Sequence, residues 1–400
     1  MTSETQPVVL NKNADRRLRA GHSWVYSNEI NAVGSNLKSF TPGQLVDVLN
    51  HQGKWLGAGY INPNSLICVR IVSRQKEIAV NGSLIVHRLK IALGLRERFY
   101  TKPFYRLVFA ESDGLPGLII DRYGDYCVVA ISTAGMELLR DEIVHAVNKV
   151  LKPQGILFRN DSTARQQEGL DQYSQIAQGV IPEHVRISEG DCQFDISLHE
   201  GQKTGWFYDQ AANRQRMLKY VAGKSVLDVC SYVGAWSIQA AVNGAQQVTS
   251  VDISAAALAM LEHNAQLNQV ENSIETIQAD AFQALKELKQ EDRRFDVIIL
   301  DPPAFMKRRK DIKQGLIAYR RLNEMAIRLL NNDGILISAS CSHHMSSSEL
   351  LKVIQQSARH NDRWVQVLEE GKQGLDHPVN PAIVETEYLK AFYCRVLRGF

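Results

Sequence analysis

A multidomain α/β protein is what this sequence predicts, with a small N-terminal β-barrel and a central α+β domain ahead of a doubly wound, Rossmann-like sheet. Three observations predict it. Four hundred residues exceed what a single core normally serves. Beyond about residue 191 the apolar pattern repeats as strand then helix, the rhythm of a mainly parallel sheet. Two short polar runs, Asp301-Pro302-Pro303 and Ser340-Cys341-Ser342, directly follow apolar stretches, which puts reactive groups where open parallel sheets hold ligands.

Taken in order, residues 1–75 read as short strands broken by turns. Leu45 to Leu49 alternates in the two-residue period around Asp47, Asn50-His51-Gln52-Gly53 is a hairpin-like break, and Trp55 to Ile61 and Leu66 to Val72 follow as further strands. Residues 76–190 mix types. Ile85 to Tyr100 and Met136 to Leu151 have a helical period, and Leu118 to Asp121 and Tyr126 to Ile131 are strand-like around Gly124-Asp125. Within residues 191–400 the expected strands are Ser225 to Val229, Gln247 to Val251, Ile274 to Ala279, Phe295 to Leu300 and Gly334 to Ala339. The expected helices are Ala235 to Val242, Ala255 to Leu267, Ala281 to Leu288 and Tyr319 to Leu330.

Composition narrows the class. With 44% hydrophobic and 22% charged residues, and no apolar run near the roughly 20 residues of a membrane helix, no membrane partner is expected. Met1 to Pro7 is polar and lacks the apolar core of a secretion signal, so the expected location is the cytoplasm. The 6 cysteines form no Cys-x-x-Cys pair, which argues against zinc or a disulfide framework, and no metal is expected. The first 75 residues hold 8 Lys or Arg against 4 Asp or Glu, a surplus that suits a phosphate-facing module.

Asp228 closes the first strand of the last domain and leads into Val229-Cys230-Ser231-Tyr232-Val233-Gly234, with a helix opening at Ala235. Glycine there lets backbone pass close to a ligand, and the helix start offers free amides. Asp252 ends the second strand, placed to accept from both ribose hydroxyls of an adenosine cofactor or, alternatively, to cap the next helix. Asp280 and Ala281 after the third strand suit an adenine edge. A dinucleotide would need the Gly-x-Gly-x-x-Gly cradle, which is missing. S-adenosylmethionine has no phosphate to cradle, and its cationic amine and sulfonium suit Asp228 and Asp209.

In Asp301-Pro302-Pro303 two prolines stiffen a loop that presents a carboxylate and carbonyls, an acceptor set for the amine of a nucleobase. Cys341 then sets the chemistry. Carbon 5 of a pyrimidine is a poor nucleophile until a thiolate adds at carbon 6. A small buried cysteine is the ordinary alternative, but Ser340, Ser342, His343 and His344 make this setting polar.

On these residues, with Gly21-His22-Ser23-Trp24-Val25, Asp113 to Leu118, Lys203 to Gln210, Asp376-His377-Pro378 and Tyr388-Leu389-Lys390, the chain resembles the ribosomal RNA large subunit methyltransferase I family along nearly its whole length. The resemblance implies a PUA-type RNA-binding barrel (1–75), a small α+β domain (76–190) and a class I methyltransferase domain (191–400). It implies cytosine carbon 5 methylation in 23S ribosomal RNA, with Cys341 as nucleophile. Asp209, Gln210, Asp228, Ser231, Tyr232, Gly234, Asp252, Asp280, Ala281 and Asp301 would surround the cofactor or target base. Two positions depart from related patterns. Ala304 stands where many RNA cytosine carbon 5 methyltransferases carry a second Cys, and His343 where the family usually has Gly.

Arg16, Arg17 and Arg19 beside Trp24, and Lys307-Arg308-Arg309-Lys310 after the Asp-Pro-Pro loop, are the expected RNA contacts, unless they are ordinary solvated charge. The target base must be unpaired or extruded to reach Cys341, which favours rRNA before full assembly. A homodimer is left open. Two rivals stand beside this reading: methylation of a purine nitrogen, which needs no covalent step, and a non-catalytic RNA-binding factor in ribosome assembly.

Overall fold

The computed structural model describes residues 6–201 and 204–399, so Met1 to Thr5 and Lys203 of the quoted motif lie outside the described residues. The chain forms two compact units. Met1–Val185, Ser197–Trp206 and Leu375–Thr386 make the first, and Arg186–Ile196, Phe207–Gly374 and Glu387–Phe400 the second.

In the first unit, β1 (Gln6–Val9), β2 (Trp24–Tyr26), β3 (Leu45–Leu49), β4 (Trp55–Ile61) and β5 (Ile67–Ser73) form a sheet in the order β1-β3-β4-β5-β2. An antiparallel bridge between Leu10 and Ile30, which follow the two edge strands, ties the edges together and closes the small barrel. Its inner face is Val8, Val25, Val46, Val48, Ile61, Val69 and Ile71, the alternate residues of each strand.

The same unit holds β6 (Phe104–Phe109), β7 (Leu118–Tyr123), β8 (Tyr126–Ile131), β9 (Gly155–Asn160) and β10 (Tyr173–Gly179), ordered β10-β9-β8-β7-β6. Only β8 and β9 run parallel, and the helix Arg140–Leu151 makes the crossover. The helix expected over 136–151 is in fact two, Ala134–Leu138 and Arg140–Leu151, broken at Leu139. Gly117, at φ +77°, could not carry a side chain, because a Cβ would lie 2.3 Å from the Thr133 methyl. The quoted Asp113 takes a bidentate pair from buried Arg96, and Asp376 accepts from the Arg106 amide, so these motif residues build this unit.

The second unit opens with a hairpin of β11 (Val185–Glu189) and β12 (Cys192–Ile196). Its main sheet holds β13 (Ser225–Val229), β14 (Gln247–Asp252), β15 (Ile274–Gln278), β16 (Phe295–Leu300), β17 (Leu330–Ser340), β18 (Arg363–Lys372) and β19 (Lys390–Arg398), in the order β15-β14-β13-β16-β17-β19-β18. Five strands are parallel, and β19 lies antiparallel to both β17 and β18. Strand residues alternate between two cores: Leu227, Ile298, Leu300 and Leu336 face one, with helices Ala281–Gln290, Ile312–Leu329 and Ser347–Arg359, while Val226, Val297, Ile299 and Ile337 face the other, with helix Ala235–Val242. Strand order reverses between β13 and β16, so the crevice for a ligand opens where Val229 pairs with Leu300, one residue before Cys230 and Asp301.

Candidate active site

Leaving β13, the chain turns sharply through Cys230 and Tyr232, both at positive φ (68° and 50°), and Gly234 at 89°. Positive φ at two residues with side chains is strain that persists only where the surroundings hold it. Asp252 supplies that hold. Its Oδ2 accepts from the Tyr232 amide at 2.8 Å and its Oδ1 from the Ser254 amide at 2.9 Å. The cap of helix Ala255–Leu267 is Ser254, whose side chain accepts from Ala257, so the capping alternative raised for Asp252 falls to its neighbour. At Gly234 a Cβ would meet Leu261 at 2.6 Å.

Asp228 is fully buried, with Oδ2 accepting from Ser237 Oγ at 2.6 Å, and Ser250 donating to that serine in turn. Its Oδ1 and the Ser231 Oγ are buried with no hydrogen-bond partner. Such atoms are costly unless a ligand answers them. Burial pushes the Asp228 carboxyl up to about 7, against the Ser237 hydrogen bond, with Asp301 and Asp252 adding to the rise.

Asp301 begins the loop after β16. Gln210 Nε2 donates to its Oδ1 at 2.8 Å and Trp236 Nε1 to its Oδ2 at 3.0 Å, while Asn213 donates to Gln210 Oε1 at 2.7 Å. Burial raises Asp301, and these two donors oppose it. Asp209 Oδ2 accepts from the Tyr388 hydroxyl at 2.6 Å. Behind this acidic group the buried Arg214 forms a bidentate pair with Glu189. Asp280 is exposed and caps helix Ala281–Gln290 through the Phe282 amide. Asp209, Gln210, Asp228, Ser231, Tyr232, Gly234, Asp252, Asp280, Ala281 and Asp301 therefore all lie at the carboxyl edge of this sheet or on the segment leading into it. Trp236, Ser237 and Arg214 went unseen in the sequence, because nothing in their local pattern separates them from helix core.

Cys341 follows β17, beside the loop that carries Asp301, and is partly exposed, whereas Cys68, Cys127, Cys192 and Cys394 are buried. A chain of hydroxyls fixes its flanks. Ser340 Oγ donates to Tyr319 Oη at 2.8 Å, and Tyr319 Oη and Ser342 Oγ are 3.0 Å apart. The Met306 amide reaches Ser342 Oγ at 3.4 Å, and the rings of Phe305 and Tyr319 lie 4.8 Å apart, so the Asp-Pro-Pro loop and the Ser-Cys-Ser loop share one support. Lys390 Nζ donates to the carbonyls of Ser342, at 2.7 Å, and Met345.

Of the expected RNA contacts, Arg16 is exposed, Arg17 donates through Nη2 to both carboxylate oxygens of Glu29 while lying over the Tyr26 ring, Arg19 pairs with Asp15, and Trp24 Nε1 donates to Glu111. Lys307, Arg308, Arg309 and Lys310 are exposed, and Arg308 alone makes an ion pair, with Asp311, among the described residues. Beyond them a groove of about 400 Å³ between helices Ile312–Leu329 and Ser347–Arg359 is lined by Lys313, Arg320 and Lys352 against Glu349. No helix among the described residues is long and apolar enough to cross a membrane, and none of their side-chain clusters could hold a metal ion.

Residues 8–74 match the model of a PUA-like domain, and residues 211–358 that of conserved hypothetical protein 95. The chain is 35% identical to the ribosomal RNA large subunit methyltransferase I of Aliivibrio fischeri, covering 98% of this chain and 100% of that one. It is 36% identical to the same enzyme of Photobacterium profundum, with the same coverage, and 34% identical to that of Klebsiella pneumoniae, over 99% and 100%. Among solved structures, a methyltransferase complexed with SAH superposes with a TM-score of 0.84 at 24% identity, over 98% of this chain and 100% of that one. A tRNA m1G37 methyltransferase from M. jannaschii reaches 0.53 at 18%, over 78% and 79%. Both likenesses are of fold.

Proposed function

The chain belongs to the ribosomal RNA large subunit methyltransferase I family, and from that membership we propose that it methylates carbon 5 of a cytosine in large-subunit ribosomal RNA through a covalent adduct on Cys341, before the RNA is fully assembled. In this reading the PUA-like barrel grips RNA, residues 76–190 form a small middle domain, and residues 191–400 hold the chemistry.

S-adenosylmethionine, when bound, supplies an electrophilic methyl group and two cationic centres. The fit rests on the unanswered Asp228 Oδ1 and Ser231 Oγ in an acidic crevice with no phosphate cradle. Asp228 and Asp209 would face the cationic part, Asp252 the ribose and Asp280 with Ala281 the adenine, while Asp252 holds the Ser231-Tyr232 turn in its strained shape.

The observation that carries the proposal is the contrast between two thiols at this edge. Cys230 is raised by burial, and Asp252, Asp301, Asp228 and Asp280 all add to the rise, which leaves it a neutral thiol. Cys341 stands on a polar, hydrogen-bonded loop beside the loop of Asp301. The Cys341 sulfur adds to carbon 6 of the cytosine, so that carbon 5 becomes nucleophilic and takes up the methyl group. Loss of the carbon 5 proton and departure of the sulfur then restore the ring. Asp301, locked by Gln210 and Trp236, would accept from the exocyclic amine.

Large-subunit RNA carrying 5-fluorocytidine tests this reading, because fluorine cannot leave as a proton does. The expected result is a protein–RNA adduct that survives denaturant and disappears in Cys341→Ala. A methylated purine with no adduct at all would establish the rival chemistry instead.

A further inference from the structure

Lys390 opens β19 directly opposite Ser340 in the antiparallel pair with β17. Residues so paired project on the same face of a sheet, and the Lys390 ammonium rises into the turn that follows Cys341, where it donates to the carbonyls of Ser342 and Met345. The side chain is only 5% exposed. No carboxylate lies within ion-pair distance of it among the described residues.

A buried ammonium held by neutral carbonyls alone is an incomplete arrangement, because desolvation is repaid in full only by an opposite charge. We propose that Lys390 is the counter-ion of Cys341, a positioning residue that keeps the sulfur in its thiolate form and fixes the turn that aims it. The proposal rests on Cys341 being the nucleophile and adds how that nucleophile is activated. Burial pulls Lys390 down to about 8, and Cys341 is the strongest of the groups that oppose this, ahead of Glu387 and Glu349.

The other groups facing this turn are the Tyr319 hydroxyl, bonded to Ser340 and Ser342, and the loop's own His343 and His344, with the His343 ring 5.5 Å from that of Tyr388. Two carbonyl acceptors also hold Lys390 as the protonated donor. A free amine would make both bonds more weakly, because only the ammonium makes them charge-assisted, so Lys390 acts as a charge rather than as the base that removes the carbon 5 proton.

Alkylation by iodoacetamide reads the thiolate directly. It needs neither RNA nor cofactor, and peptide mass spectrometry resolves Cys341 from the other cysteines. In the full-length protein the rate at Cys341 should reach half its maximum well below the roughly 8.5 of a free thiol. In Lys390→Met the midpoint should rise by about one pH unit or more, with alkylation about tenfold slower at pH 7, while Lys390→Arg stays close to the parent. A parent midpoint at or above that of a free thiol overturns the proposal without any variant, and so does an unchanged profile in Lys390→Met. Failure of the nucleophile assignment would appear elsewhere, as methylation retained by Cys341→Ala.

Discussion

Trp236 Nε1 donates a 3.0 Å hydrogen bond to Asp301 Oδ2. One residue stands on the first helix after the cofactor turn and the other opens the loop proposed to hold the base, so this bond links the two halves of the site. Burial raises the Asp301 carboxyl and this donor opposes the rise, so Trp236→Phe should raise it further. Activity that needs the carboxylate is lost as pH falls through that value. The acid limb of the kcat/KM profile should therefore move to higher pH, by about one unit for one hydrogen bond to a charged group. An acid limb that stays in place, in a variant that melts like the parent, would remove this role.

Cys341→Ser should keep cofactor affinity within about threefold, since the sulfur touches the base rather than the donor, and should lower methyl transfer by about 1,000-fold or more. Titration calorimetry and single-turnover methylation separate the two effects. Near-normal turnover in the variant would refute the covalent route.

Asp228 titrates near 7 in the folded chain, far above an ordinary Asp. In the free protein such a raised carboxyl contributes stability that is full below about pH 4 and is lost as pH climbs toward 7. A cationic ligand requires the carboxylate, so the dissociation constant for S-adenosylmethionine should weaken by about tenfold per unit below pH 7. Asp228→Asn should bind more weakly and lose this pH slope. Calorimetry between pH 5.5 and 8 checks it, and a parent affinity that does not vary with pH would contradict it.

Lys307, Arg309 and Lys310 are the members of their run without an internal ion pair among the described residues. Reversing all three to Glu should weaken RNA binding and reduce the slope of log affinity against log salt by about 2, three contacts at roughly 0.7 each for single strands. A filter-binding series from 50 to 300 mM salt decides it, and an unchanged slope would show the run to be ordinary surface.

Much of this could be read in the residues before any coordinates. Ser225–Val229, Phe295–Leu300, Ala235–Val242 and Ala255–Leu267 fall where their periodicity puts them, because burial on one or both faces writes itself into local spacing. The strand Arg363–Lys372 was not legible. It is an edge strand with much of its length exposed, so no apolar period marks it.

The turn after Asp228, the acid at Asp301 and the thiol at Cys341 were likewise visible, each as a polar group directly after an apolar run. Their surroundings were not. Trp236 lies 65 residues from the carboxylate it fixes, Tyr388 lies 179 residues from Asp209, and Lys390 lies 45 residues or more from the carbonyls it holds. Only strand order and register bring such groups together.

The sequence by itself determined which elements form, and which chemically able residues stand at the ends of strands, because those depend on short-range pattern and backbone preference. Tertiary structure alone decided that Asp252, Asp301, Asp228 and Asp280 surround Cys230 while Lys390 reaches the turn that follows Cys341, because the charge around a group depends on which distant strand pairs beside it.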